Sequence, residues 1–188
     1  MKVNQFPKHN IEESSAGPGL ELVDRSDFVD TMSRVANSVN VVTTSGSGGE
    51  VGVTVSAATS VTAEPPTLLV CIHEQSKAAA AILENGVFCL NVLQSAQQHY
   101  AELFAGLTAG STEDRFNKAD WTQLKTGAPA LKNGLAVFDC RLDAVLKEGT
   151  HYIFVGQVVA TNKGSGVPLI YSQRAYAQPA WLNERIPE

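Results

Sequence analysis

Short apolar runs alternate with short polar segments along the whole chain, and this pattern predicts strands with a few short helices between them. Phe28, Met32 and Val35 fall at helical spacing after Ser26, which can cap a helix. Ser76 can cap an alanine-rich helix that ends near Leu83, and residues 97–104 suit another helix. The remaining apolar runs predict strands at 39–44, 67–72, 87–93, 135–146, 150–160 and 169–171.

The stretch from Val51 to Pro66 alternates with a period of two, and its two faces differ in chemistry. We expect one strand that ends at Pro65–Pro66. A face of glycine, alanine and small hydroxyls is flat, so a planar aromatic ligand could lie against it. The alternative is an ordinary strand with a solvated Ser/Thr face. The residues of the small face are Gly52, Thr54, Ser56, Ala58 and Ser60.

The succession of elements favours a mainly β fold, a closed or nearly closed antiparallel barrel with inserted short helices. The chain has no G-x-G-x-x-G motif, so a nicotinamide nucleotide would have to bind without a Rossmann unit. Residues 106–127 are polar and are expected to form a long loop. We expect residues 1–25 to be an extended or partly disordered arm and residues 26–188 to be the domain.

Composition narrows the function classes. With a net charge of −5 and no basic block, the chain is not expected to bind nucleic acid. Cys71, Cys89 and Cys140 lie in apolar runs without C-x-x-C spacing, which predicts buried thiols in a reducing compartment. No segment resembles a signal peptide or a membrane span, so we expect a cytoplasmic protein. The histidines lack metal-ligand spacing, and we expect no metal site.

A few polar residues in marked positions are candidates for chemistry. Ser76 and Lys77 stand where a strand meets a helix, which suits a phosphate or a simple N-cap. Asn91 interrupts an apolar strand, so its amide must bond either a ligand or the backbone. Arg115, between Asp114 and Phe116, could stack on a nucleotide or form a surface ion pair. His151 begins a strand and could stabilise developing charge or be structural.

Taken in order, the motifs of residues 26–178 resemble the short-chain flavin reductase family, the reductase partners of two-component aromatic monooxygenases. The resemblance implies an FMN-binding split β-barrel that forms a homodimer and binds FMN or FAD. Many members have Gly-Asp-His where this chain has Gly149-Thr150-His151. The motifs are Val39-Asn40-Val41-Val42-Thr43-Thr44, Gly52-Val53-Thr54-Val55-Ser56-Ala57, Ser60-Val61-Thr62-Ala63-Glu64-Pro65-Pro66, Asn91-Val92-Leu93, Phe104-Ala105-Gly106, Asp114-Arg115-Phe116, Gly149-Thr150-His151 and Pro168-Leu169-Ile170-Tyr171.

The resemblance also implies roles for individual residues. His151 matches the histidine near the nicotinamide and is the expected catalytic residue. Ser76 and Lys77 match the phosphate side of the site. The other residues expected to bind the cofactor are Thr54, Val55, Ser56 and Ala57 along the ring, Ser60 and Val61 at its edge, Asn91 beside it, and Phe104, Arg115, Phe116, Arg174 and Tyr176 around it.

The implied reaction is hydride transfer from C4 of NADH, with NADPH as the alternative, to N5 of a flavin. The reduced flavin would then pass to a separate monooxygenase. Two other functions stay open at this point: a flavin-binding protein without reductase activity, and an oxidase with a fixed FMN.

Overall fold

In the computed structural model, residues 4–5, 20–106 and 112–182 are described. The helices are α1 (Arg25–Ser33), α2 (Lys77–Asn85), α3 (Gln98–Phe104) and α4 (Thr112–Phe116), with a 3-10 turn at Ser95–Gln97. The strands are β1 (Asn4–Gln5), β2 (Asn37–Ser38), β3 (Asn40–Thr44), β4 (Val51–Val55), β5 (Ala58–Ala63), β6 (Pro66–His73), β7 (Val87–Val92), β8 (Trp121–Gln123), β9 (Pro129–Leu131), β10 (Ala136–Glu148), β11 (His151–Lys163), β12 (Ile170–Ser172) and β13 (Ala175–Ala177).

The main sheet curls into a barrel. Its strands follow the order β4-β3-β7-β10-β11-β6-β5, so β4 and β5 stand at opposite edges. Yet Ser56 and Ala57 alone separate these two strands in the chain, and the edges must therefore meet. The Cys71 amide donates to the Ala57 carbonyl at 2.9 Å and ties this corner to β6. The mostly β barrel predicted from the sequence is confirmed, but the single strand expected from Val51 to Pro66 is wrong because the chain turns at Ser56–Ala57.

Large apolar side chains fill the barrel. Val42, Ile72, Phe88 and Phe154 are at most 2% exposed, and Ala79 and Ile82 of α2 close one end over them. The two long strands β10 and β11 form a hairpin across Gly149–Thr150, and the left-handed backbone of Gly149 (φ 53°) suits this two-residue turn.

A second apolar cluster lies outside the barrel, where α3 covers β3 and β4. Phe104 of α3 packs edge-on against Phe116 and Trp121, with ring centroids 5.3 and 5.8 Å away. Residues 106–127 are therefore not one long loop, because burial of Phe116 and Trp121 organises α4 and β8 within this segment. Residues 107–111 lie outside the described part of the chain.

The arm predicted for residues 1–25 falls largely outside the described residues. Within it, β1 pairs in parallel with Ala144 and Val145 of β10. Cys89 and Cys140 are buried, which raises the pKa of Cys140 to about 12, whereas Cys71 is only half-buried. None of the described helices is both long and apolar enough to span a membrane.

Candidate functional site

The corner between β4 and β5 presents small residues to solvent. Ser56 and Ala57 are exposed, and Val55 before them is buried in the barrel. Thr54 points to the outer side, where its hydroxyl donates to the Ala101 carbonyl of α3 at 2.7 Å. The corner is thus a rigid, thin part of the wall that a flat molecule can approach.

A pocket of about 260 Å³ opens beside this corner. Tyr171 and Tyr176 of the β12–β13 hairpin face each other there in an edge-on contact, with centroids 5.4 Å apart. Burial raises the pKa of Tyr176, so its phenol stays protonated and can donate a hydrogen bond. The lining residues are Val39, Thr54, Val55, Ser56, Ala105, Tyr171 and Tyr176.

The amino end of α2 lies near the same corner, because β6 runs past Ala57 and then leads into this helix. Ser76 caps α2 by accepting the Ala78 amide at 3.3 Å, and Lys77 follows with an exposed side chain. Ser76 therefore acts as the N-cap, which was the alternative to a phosphate site. The positive end of the helix dipole and the Lys77 ammonium still face solvent.

His151 and His73 pair across β11 and β6 at this end of the barrel. Their rings meet edge-on with centroids 5.1 Å apart. The Gln75 amide donates to Nδ1 of His73 at 3.2 Å, which leaves the proton of a neutral His73 on Nε2. Across β6, Ile153 is the residue opposite the corner, and His151 lies two residues further along β11. With strands about 4.8 Å apart and about 3.3 Å per residue, His151 is about 12 Å from the corner.

An ion pair borders the two histidines. Nζ of Lys147 lies 2.5 Å from the Glu74 carboxylate. This hydrogen bond lowers the pKa of Glu74 and raises the pKa of Lys147. Both groups therefore stay charged at neutral pH and add no net charge beside the histidines.

Asn91 does not reach this site. Its side chain is fully buried, and Nδ2 donates to the Val41 carbonyl and to the Thr43 hydroxyl, each at 3.1 Å. Its Oδ1 accepts the Leu131 amide at 2.7 Å. Every polar group of the Asn91 side chain already bonds the protein, which favours the structural alternative for this residue over a contact with a cofactor.

Other predicted residues are also brought elsewhere. Phe104 and Phe116 are buried under the outer cluster and support β4 from behind. Ser60 and Val61 stand on the exposed strand β5 and line a different cavity. The structure brings together Thr54, Val55, Ser56, Ala57 and Tyr176, with Ser76, Lys77 and His151 along the same end of the barrel.

The two predicted arginines differ in environment. Arg115 is half-buried, and its buried Nε has no hydrogen-bond partner among the described residues. Arg174 sits in the β12–β13 turn with φ 62°, and its guanidinium lies 3.2 Å from the Asp30 carboxylate of α1. Arg174 therefore anchors α1 to the hairpin and does not line the pocket.

Two pocket or near-pocket residues were missed from the sequence. Tyr171 lies in the motif Pro168-Leu169-Ile170-Tyr171, and His73 stands three residues before Ser76, just after the predicted strand 67–72. Both residues could have been found from the sequence, because each is a polar aromatic residue at the end of a predicted strand that leads into the site.

The chain matches known proteins along most of its length. A family model described as flavin reductase like domain matches residues 32–180. A curated FMN reductase (NADH) RutF of Ancylobacter novellus is 40% identical over 168 residues, which is 88% of this chain and 92% of that protein.

Solved structures agree with this match. A candidate flavin reductase from Haemophilus somnus 129PT has a TM-score of 0.79 at 39% identity, with 84% of this chain and all of that chain covered. BorF, the flavin reductase component of a bacterial two-component tryptophan halogenase, has a TM-score of 0.76 at 30% identity, with 82% and 98% covered. SgcE6, an NADH:FAD oxidoreductase of Streptomyces globisporus C-1027 solved with NAD and FAD fragments, has a TM-score of 0.77 at 26% identity, with 88% and 100% covered.

Proposed function

The chain belongs to the family of flavin reductase-like domains, and from this premise we propose that it is an NADH-dependent flavin reductase that acts on FMN or FAD. The observation that carries the proposal is the 40% identity with an FMN reductase (NADH) across 88% of the chain. The barrel is the split β-barrel that the sequence predicted.

The residues at the corner suit a flavin. Ser56 and Ala57 are small and exposed, and Tyr176 adds a protonated phenol. The pocket of about 260 Å³ is smaller than the roughly 300–1,000 Å³ of a pocket that encloses its ligand. A partly covered ring fits an enzyme that releases its product, so we propose Thr54, Val55, Ser56, Ala57 and Tyr176 as the ring contacts.

We assign the phosphate side to Ser76 and Lys77. The amino end of α2 carries a partial positive charge, and the Lys77 ammonium adds a full one. When NADH and flavin are bound, NADH supplies the hydride and the flavin accepts it. The chain's own task is to hold the two rings in contact and to donate hydrogen bonds where negative charge grows.

The test is NADH oxidation by the purified protein, followed at 340 nm with FMN, FAD or no added flavin. We expect oxidation that depends on added flavin. A protein that binds flavin but oxidises no NADH would be a flavin-binding protein. If FMN co-purifies in stoichiometric amount and only an amine reduces it, the protein is an oxidase.

We expect His151→Ala to lower kcat/KM for NADH about tenfold, the value of one lost polar contact. Flavin affinity should change little, because His151 lies about 12 Å from the corner, beyond β6. Steady-state kinetics with both substrates varied would measure this. His99→Ala is the matched control, since His99 is an exposed histidine on α3. Unchanged NADH kinetics in His151→Ala would remove His151 from the site.

We also propose a homodimer that forms over α1. None of the residues of this helix is buried. Two of its apolar side chains, Phe28 and Met32, lie on one face and are 56% and 45% exposed. A short helix of this kind gains stability chiefly from packing of its apolar face. Leu22, just before α1, and Leu182, at the end of the last described range, add further exposed apolar surface.

The dimer predicts a specific loss of assembly. Phe28→Glu combined with Met32→Glu should convert a dimer to a monomer in size-exclusion chromatography with light scattering, because carboxylates cannot be buried unpaired at the interface. Thr31→Glu, an exposed position on the same helix, is the control. A wild-type protein that is already monomeric contradicts the proposal.

Finally, we propose that a separate flavin-dependent monooxygenase receives the reduced flavin. In support, BorF is by its name the reductase component of another two-component system, a tryptophan halogenase. All three cysteines are unpaired, which supports a reducing, cytoplasmic compartment.

A further inference from the structure

Strand β6 runs between the corner and His151, and it ends in a histidine that the proposed reaction has not used. Leu68, Val70 and Ile72 of β6 pack in the barrel core, so alternation along the strand turns His73 to the outer face. The side chains of His73 and His151 are both exposed. A ligand on the outer face of the barrel can therefore reach both rings.

His73 lies between the two places at which we propose contacts with the substrates. The Ala57 carbonyl of the corner accepts the Cys71 amide, and His73 is two residues further along β6. With strands about 4.8 Å apart and about 3.3 Å per residue, His73 is about 8 Å from the corner, compared with about 12 Å for His151. A nicotinamide that stacks on a flavin at the corner can therefore reach His151 only across His73.

The neighbours of His73 fix the atom that its ring offers. The Gln75 amide donates to Nδ1 at 3.2 Å, so the neutral ring carries its proton on Nε2 and can only donate there. The Glu74 amide donates to the Thr150 carbonyl at 2.9 Å and ties this end of β6 to the turn before His151. His73 is thus a hydrogen-bond donor held at a fixed place beside the second imidazole.

His151 can offer the complementary atom. Its Nδ1 lies 3.0 Å from the Thr150 hydroxyl. When that hydroxyl accepts the Nδ1 proton, Nε2 of the neutral ring is an acceptor. The adjacent Glu74 and Lys147 neutralise each other in their ion pair. The two histidines therefore suit an uncharged group that carries both an acceptor and a donor.

We propose that His73 binds the carboxamide of the NADH nicotinamide, a role that rests on the proposed reductase function. The carboxamide is a neutral group with one carbonyl oxygen and one NH2. Nε2–H of His73 donates to the oxygen, and Nε2 of His151 accepts from the NH2. Two such bonds fix the rotation of the nicotinamide about its stacking axis, which sets the position of C4 over the flavin.

The test compares NADH with reduced 3-acetylpyridine adenine dinucleotide, which keeps the carbonyl oxygen and has a methyl group in place of NH2. Each variant is compared with the wild type on the same dinucleotide, so the different redox potentials of the two compounds cancel. His73→Phe should lower kcat/KM about tenfold with both dinucleotides, because both lose the bond to oxygen. His151→Phe should lower it about tenfold with NADH only, because the acetyl analogue has no amide N–H.

Two further variants separate this role from a structural one. His73→Gln keeps an N–H donor at a similar reach and should recover most of the activity that His73→Phe loses. His99→Phe changes an exposed histidine on α3 and should leave the kinetics of the wild type unchanged. The Kd of FMN, measured by quenching of flavin fluorescence, should be the same in His73→Phe and the wild type.

The outcomes distinguish this inference from the proposed function. Unchanged kinetics in His73→Phe, a loss with NADH alone, or weaker FMN binding would each overturn the role of His73 while the wild type still reduces flavin. A wild-type protein without flavin-dependent oxidation of NADH would instead refute the reductase function, and the role of His73 with it.

Discussion

Replacing Asn91 by leucine should lower the free energy of unfolding by about 2–3 kcal/mol, since a buried polar group left unpaired costs about 1–3 kcal/mol. The Asn91 side chain is fully buried and joins three strands. It binds Val41 and Thr43 of β3 and the Leu131 amide of β9. Leucine has nearly the same size but can replace none of these bonds. The Leu131 amide would stay buried without a partner, whereas the Val41 carbonyl keeps the backbone pairing of β3 with β7.

Urea denaturation followed by circular dichroism would measure this loss. Asn162→Leu, an exposed asparagine of β11, is the matched control and should change stability by less than about 0.5 kcal/mol. If Asn91 were instead a flavin ligand, Asn91→Leu would keep the stability of the wild type and lose flavin affinity. That outcome would restore the interpretation that the structure argues against.

Gly52→Val should destabilise the protein by about 2–3 kcal/mol and reduce flavin reduction at the same time. A Cβ at position 52 would lie 2.7 Å from Cε1 of Phe104, closer than carbon atoms pack. Phe104 is 2% exposed and is held by Phe116 and Trp121, so its ring cannot simply move aside. Helix α3 must shift, and with it the Ala101 carbonyl that fixes Thr54 beside the pocket.

The second variant of the double-mutant cycle is Phe104→Leu, which removes the ring with which the valine would clash. The double mutant Gly52→Val/Phe104→Leu should lose less stability than the two single mutants lose in total. The reason is that the smaller leucine leaves room for the valine side chain. Thermal unfolding and FMN-dependent NADH oxidation of the four proteins complete the cycle. Additive losses would mean that Gly52 does not meet Phe104, and unchanged stability with weaker flavin binding would place Gly52 under the ligand.

These two residues also mark the limits of inference from sequence. The small face of Val51–Pro66 predicts a surface for a flat ligand, and this remains the proposal for Thr54 and Ser56. It is wrong for Gly52, because an aromatic ring of the protein occupies that side. The sequence cannot distinguish a glycine that contacts a ligand from a glycine that contacts a phenylalanine. In both situations the position only requires that no side chain be present.

Strands β6, β7, β10 and β11 were predicted within a few residues of their ends, as was helix α2. Apolar runs, Ser76 and Gly86 mark those boundaries locally, and Gly86 ends α2 in the left-handed conformation. The break at Ser56–Ala57 was not predicted. It depends on the bond between Ala57 and Cys71, and such a contact between distant segments has no local signal.

The sequence by itself determined the mostly β fold, most of its elements and, through motifs in order, the flavin reductase family. Only the tertiary structure decided which polar residues remain available to a ligand. It satisfied the amide of Asn91 inside the protein, turned Arg174 toward Asp30 and brought His73 beside His151. The physical reason is that alternation assigns a side chain to one face of a strand, whereas the element that packs against that face comes from elsewhere in the chain.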